Sequence, residues 1–130
     1  MKEIFRRYPI GIQNFEQLRN MDCVYIDKTA LIYQLVHTDT VYFLSRPRRF
    51  GKSLLVSTLD AYFSGKKDLF KGLAIEQLEQ EWTVYPVLHI DFSRTKYTAI
   101  EDLQEQLNLY LAEGRGFMGK MKKKRAMQRV

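Results

Sequence analysis

Val41-Tyr42-Phe43-Leu44-Ser45-Arg46-Pro47-Arg48-Arg49-Phe50-Gly51-Lys52-Ser53-Leu54-Leu55 holds an apolar run, a basic turn and the start of an amphipathic helix. The run Val41–Leu44 is apolar throughout, which is the pattern of a strand covered on both faces in a parallel sheet. Ser45–Gly51 reads as a loop broken by Pro47. From Lys52 to Phe63 the residues Leu55, Leu59, Tyr62 and Phe63 recur at helical spacing, and Ser64-Gly65 ends the helix.

Strand, basic glycine-containing loop and helix in that order suit an anionic phosphate chain. The phosphate-loop pattern is Gly, four residues, then Gly-Lys-Ser/Thr. Gly51, Lys52 and Ser53 supply its second half, and Arg46 stands where the first Gly belongs. A loop that wraps onto a helix start points several backbone N–H groups inward. Gly51 admits close approach and unusual dihedrals. Lys52 offers a point charge to the β- and γ-phosphates, and Ser53 a hydroxyl ligand to Mg²⁺. Charge that builds on a transferring phosphoryl group meets the same donors.

Working outward, Asn14 followed by Gln17 is a capping pattern for a short helix to about Asn20. Val24-Tyr25-Ile26 reads as a short strand, and Asp27 as the cap of a helix over 28–37 with Leu31 and Leu35 on one face. Lys66–Trp82 reads as one or two short helices broken at Gly72. Val87-Leu88-His89-Ile90-Asp91-Phe92 is a second buried-strand pattern, and Thr98-Ala99-Ile100-Glu101 a capping box. The helix that follows carries Ile100, Leu103, Leu107 and Leu111 on one face. The order predicts an α/β fold: a P-loop NTPase-like parallel sheet with flanking helices, truncated after its first strands.

Charge divides the chain. Residues 1–113 hold 14 Lys/Arg against 15 Asp/Glu, whereas residues 114–130 hold 7 Lys/Arg and no acid. The net charge of +6 is therefore a property of the tail, which argues against a broad basic nucleic-acid face on the body. Gly114, Gly116 and Gly119 followed by Lys120–Arg125 predict a disordered or frayed tail over 114–130, after a first domain over 1–113. The apolar runs are too short for a membrane span and the N-terminus lacks an apolar signal segment. With one cysteine, Cys23, no intrachain disulfide forms, and a cytoplasmic location is expected.

Three ordered motifs carry a family resemblance. Tyr25-Ile26-Asp27-Lys28-Thr29, Arg46-Pro47-Arg48-Arg49-Phe50-Gly51-Lys52-Ser53 and Tyr85-Pro86-Val87-Leu88-His89-Ile90-Asp91-Phe92-Ser93 closely resemble the bacterial AAA-ATPase-like family, over about residues 6–112. Such proteins commonly join an ATPase region to a C-terminal nuclease-like domain of the PD-(D/E)xK type. The family tends to carry Arg-Pro-Arg-Arg-Phe-Gly-Lys in this loop, so Arg46 fits it. The resemblance implies that Gly51, Lys52 and Ser53 bind the phosphates of ATP, with Ser53 on Mg²⁺, and that Arg46, Pro47, Arg48, Arg49 and Phe50 form the rest of the loop.

The resemblance also implies an Asp-Glu pair ending a later strand, and none occurs here. Asp91 ends an apolar run but Phe92 follows it. The expected activity is therefore nucleotide binding with weak or no hydrolysis. The abrupt change at Gly114 suggests a shortened or frameshifted product. A sheet of two or three strands leaves Leu44, Leu88 and Ile90 short of neighbours, and predicts a marginal chain that aggregates unless it self-associates. The alternative is a non-catalytic nucleic-acid-binding or assembly fragment acting weakly through 120–125 and Arg46–Arg49. Elsewhere, His37 suits a helix C-terminus, His89 has no partner at metal spacing, and Cys23 reads as a buried small hydrophobe. Trp82, Tyr85 and Phe92 read as core aromatics. Tyr25, Asp27, Lys28 and Thr29 fit either the adenine side of a nucleotide site or a helix cap.

Overall fold

A computed structural model describes residues 5–93 and 96–128, with side chains to residue 116. The chain divides into two compact units, Met1–Val84 and Tyr85–Val130.

The first unit is built from short helices. α1 (Phe15–Asn20) begins where the Asn14 side chain accepts the Gln17 N–H at 3.0 Å, as its spacing predicts. α2 (Thr29–Thr38) begins beside Asp27, whose Oδ1 accepts the Thr29 N–H at 2.9 Å. α3 (Lys52–Phe63) ends at Ser64, followed by Gly65 at φ 70°. A 3-10 turn (Lys67–Phe70) and α4 (Ala74–Leu78) follow, separated by Gly72 at φ 80°. Only glycine holds such a left-handed φ without a steric cost.

The core of this unit gathers Phe15, Ile32, Ala61, Phe70, Leu73 and Ile75. Phe15 and Phe70 are fully buried with ring centroids 4.9 Å apart, and Trp82 stacks on Phe70 at 5.2 Å. Burying each such side chain contributes about 1.5–3 kcal/mol. α2 faces the core through Thr29 and Ile32, while Leu31 stays exposed.

The second unit carries α5 (Ile100–Gln128), which runs through Gly114, Gly116 and Gly119. Its start is held by Asp102, one residue beyond the Glu101 of the expected capping box. Asp102, not Glu101, accepts the Thr98 hydroxyl at 2.8 Å and the Thr98 and Ala99 N–H groups at 3.1 and 3.2 Å. These bonds hold the Asp102 carboxyl below its usual range. The Tyr110 hydroxyl donates to the Asp91 carbonyl at 2.8 Å and accepts the Asp91 N–H at 3.3 Å. Lys120–Arg125 fall among the side chains outside the described ones.

The expected α/β architecture is corrected. Among the described residues there is no strand and no sheet, and the fold is helical. Residues 24–26, 41–44 and 87–91 have no regular structure, and among the described residues the one ladder element is an isolated parallel bridge between Arg7 and Cys23. The reason is that an apolar run prescribes burial but not a partner. A strand exists only when a second backbone takes up its N–H and C=O groups in register. Val41 and Phe43 accordingly stand 82% and 93% exposed. Tyr85 and Phe92 are likewise exposed, so of the three aromatics read as core only Trp82 packs there. Cys23 is buried, as its reading predicts.

Candidate functional site

α3 places the candidate site at its N-terminus. The chain turns at Arg48 and Arg49, bends through Phe50 and Gly51, and enters the helix at Lys52. Gly51 takes φ 79° and caps the helix without a side chain. Arg49 also lies in the left-handed region, at φ 66°. For a residue with a Cβ that conformation costs roughly 1–2 kcal/mol.

The first helical bond runs from the Leu55 N–H to the Gly51 carbonyl at 2.9 Å. The N–H groups of Lys52, Ser53 and Leu54 precede that ladder, and none has a protein acceptor among the described residues. The first turn of α3 contains no acid. Arg46, Pro47, Arg48, Arg49, Phe50, Gly51, Lys52 and Ser53 are all exposed. Among the described residues no carboxylate pairs with Arg46, Arg48, Arg49 or Lys52. Residues 46–51 thus lead as an exposed turn into the start of α3.

Four cations at the positive end of a helix are unfavourable for the protein alone, because the helix dipole prefers anions there. The same arrangement is favourable to an anion, which meets free N–H donors and unpaired positive side chains together. The helix start alone does not select phosphate; the Gly51-Lys52-Ser53 order narrows the choice.

Tyr25, Asp27 and Thr29 have structural partners. Tyr25 sits edge-on to Phe15 at 5.5 Å, and burial pushes its phenol up, with the neighbouring Asp27 charge adding to the effect. Asp27 joins two helix starts: Oδ1 accepts the Thr29 hydroxyl at 2.6 Å and N–H at 2.9 Å, while Oδ2 accepts the Ala74 N–H at 2.8 Å. The Thr29 hydroxyl in turn accepts the buried Ile75 N–H at 3.1 Å. Partial burial pushes the Asp27 carboxyl up, but these bonds and the Arg19 charge outweigh it and hold it below the usual carboxylate range. Arg19 ties down the same segment through the Leu69 and Lys71 carbonyls at 2.8 and 2.6 Å.

Asp91 is occupied by Ser93, whose N–H and hydroxyl donate to Oδ1 at 2.8 and 2.6 Å. His37 ends α2 with Nδ1 2.8 Å from the Tyr33 carbonyl. Among the described residues no group of three His, Cys, Asp or Glu side chains could hold a metal, and no helix is long and apolar enough to cross a membrane.

Sequence reading missed Ser57 and Thr58, the polar pair in the middle of α3. Ser57 Oγ accepts the Phe15 N–H at 3.0 Å and donates to the Leu54 carbonyl at 2.9 Å; Thr58 Oγ1 donates to that carbonyl at 2.6 Å. The available signal was two adjacent hydroxyls among the apolar residues Leu54, Leu55, Val56 and Leu59 of α3.

Comparisons with known proteins bear on the family. A family model described as "Predicted AAA-ATPase" matches residues 9–129. An uncharacterized protein of Azotobacter chroococcum mcd 1, described by its place in the vnfD 5' region, is 42% identical over 104 residues. The match covers 78% of this chain and 20% of the relative, so the chain spans about a fifth of that protein's length. No solved structure matches. With a match over most of its residues, the chain belongs to the family of predicted AAA-ATPases.

Proposed function

We propose that the chain binds the phosphates of a nucleoside triphosphate, ATP in the first instance, at Arg46–Ser53. The observation that carries this reading is the uncompensated positive charge at the start of α3: free Lys52, Ser53 and Leu54 N–H groups, no acid in the first turn, and four cations without a carboxylate partner among the described residues. Membership of the predicted AAA-ATPase family supports ATP over another anion.

The residues present fit the ligand. Lys52 places an ammonium beside the phosphates, and Gly51 leaves room for close backbone approach, with no atom within 4 Å of where a Cβ would stand. The Ser53 hydroxyl has no protein partner among the described residues and suits Mg²⁺ arriving with the nucleotide. Arg46, Arg48 and Arg49 add charge around the anion, and Pro47 and Phe50 shape the loop. Arg46–Ser53 contains no carboxylate. These residues bind and orient, and nothing among them abstracts a proton from water, so hydrolysis by this set alone is weak or nil.

Equilibrium titration with Mg·ATP tests the reading. Wild type should bind saturably, and Lys52→Ala should lose at least about 2 kcal/mol of that affinity, the scale of a charge-assisted contact. Equal affinity in the two proteins rejects the assignment.

A further inference from the structure

We propose, resting on the phosphate-site reading, that Ser57 is a positioning residue which fixes the aim of the α3 N-terminus. Its hydroxyl takes part in two bonds that lead in opposite directions. It accepts the N–H of Phe15, the first residue of α1, and it donates to the carbonyl of Leu54 in the first turn of α3. Phe15 is fully buried and packs on Phe70 and Tyr25. One end of this relay is therefore the packed centre of the core. The other end is the residue after Ser53.

The Leu54 carbonyl carries more than the usual load. It accepts both the Ser57 and the Thr58 hydroxyls, at 2.9 and 2.6 Å. Hydroxyls that bond back to a helix carbonyl compete with the backbone ladder and bend the helix. Here the doubly used carbonyl belongs to Leu54, in the turn whose N–H groups of Lys52, Ser53 and Leu54 are free. Their direction determines whether they converge on one phosphate. Displacements of about 1 Å at such a distance from the ligand can cost up to roughly a hundredfold in function. Thr58 is buried and serves packing as well, so Ser57, half-buried and bridging to α1, is the cleaner handle.

The experiment titrates Mg·ATP against the full chain, three Ser57 variants, a Ser64→Ala control and Lys52→Ala, each well below its own melting temperature so that every molecule is folded. Ser57→Ala removes both bonds. Ser57→Cys keeps the volume with a poor acceptor, and carries the test if Ser57→Ala does not melt cooperatively. Ser57→Thr retains the hydroxyl. Ser64→Ala is the control, since Ser64 bonds Asp60 at the far end of the same helix. A residue that only stabilises the body would lower the melting temperature and leave affinity unchanged. The expected result is affinity at least about fivefold weaker in Ser57→Ala and Ser57→Cys, with Ser57→Thr and Ser64→Ala at the wild-type value. Wild-type affinity in a folded Ser57→Ala or Ser57→Cys overturns the positioning role while leaving the phosphate site intact. If wild type itself binds no better than Lys52→Ala, the phosphate reading falls and the positioning role with it.

Discussion

The core around Phe15, Phe70 and Ile75 and the segment 41–53 lie in the same unit and obey opposite rules. In the core, the apolar side chains are buried and two core N–H groups find hydroxyl acceptors: Thr29 takes the Ile75 N–H, and Ser57 takes the Phe15 N–H. In the segment, apolar side chains face water and like charges crowd a helix start. The first region is organised for stability. The second contributes little to it and carries a local cost at Arg49. Such a division is what a binding loop on a packed scaffold requires.

The contrast is broken most severely by emptying the core. Phe15→Ala removes a fully buried ring with two aromatic partners, and should destabilise the fold by about 3–5 kcal/mol, measured by urea unfolding. A loss under 1 kcal/mol would mean the core is not as packed as described. Next in size is Asp27, which serves two helix starts. Asp27→Ala should cost about 1–2 kcal/mol by loss of capping. Because its folded carboxyl is held below the ordinary value of 3.8, its contribution is fully present above that pH and is lost as pH falls through the folded value. Asp27→Asn should therefore flatten the acid limb of the stability profile; an unchanged limb would place the acid sensitivity elsewhere.

Smaller effects distinguish the loop. Arg49→Gly relieves a left-handed residue but loosens the unfolded chain, so the unliganded protein should gain up to about 1 kcal/mol while Mg·ATP binds more weakly. Improved stability with unchanged affinity would show that the arginine has no ligand role. Phe43→Ser should shift stability by no more than about 0.5 kcal/mol, since the side chain is 93% exposed. It should also raise the concentration at which the chain stays monomeric in sedimentation, because exposed apolar runs with unpaired backbone promote association. A large stability loss there would show Phe43 to be packed in solution.

What the sequence made legible follows the same division. Helix starts and stops depend on residues within four positions of one another. Asn14–Gln17, Asp27–Thr29, the Lys52–Phe63 periodicity and the break at Gly72 were all readable for that reason. Strands depend on a distant partner, and the apolar runs at 41–44 and 87–92 pointed to a sheet that the structure does not contain. Side-chain relays across long separations were equally opaque. Nothing local marks Ser57 as the acceptor for Phe15, or Asp27 as the acceptor for Ala74. The turn ahead of α3 has a contiguous signal in sequence, Gly51-Lys52-Ser53 behind three arginines. Its structural counterpart, a left-handed Gly51 opening α3, was implied by that order.

The most direct test of the account is the thermal melt of wild type and Lys52→Ala with and without Mg·ATP. At one hundred times its dissociation constant the nucleotide should add about 2.7 kcal/mol to the folded state of the wild type. The account predicts a clear upward shift of the wild-type melt and none for Lys52→Ala, whose unliganded melt stays close to wild type because Lys52 is exposed and unpaired among the described residues. A wild-type melt that Mg·ATP does not move, or an equal shift in both proteins, would contradict it.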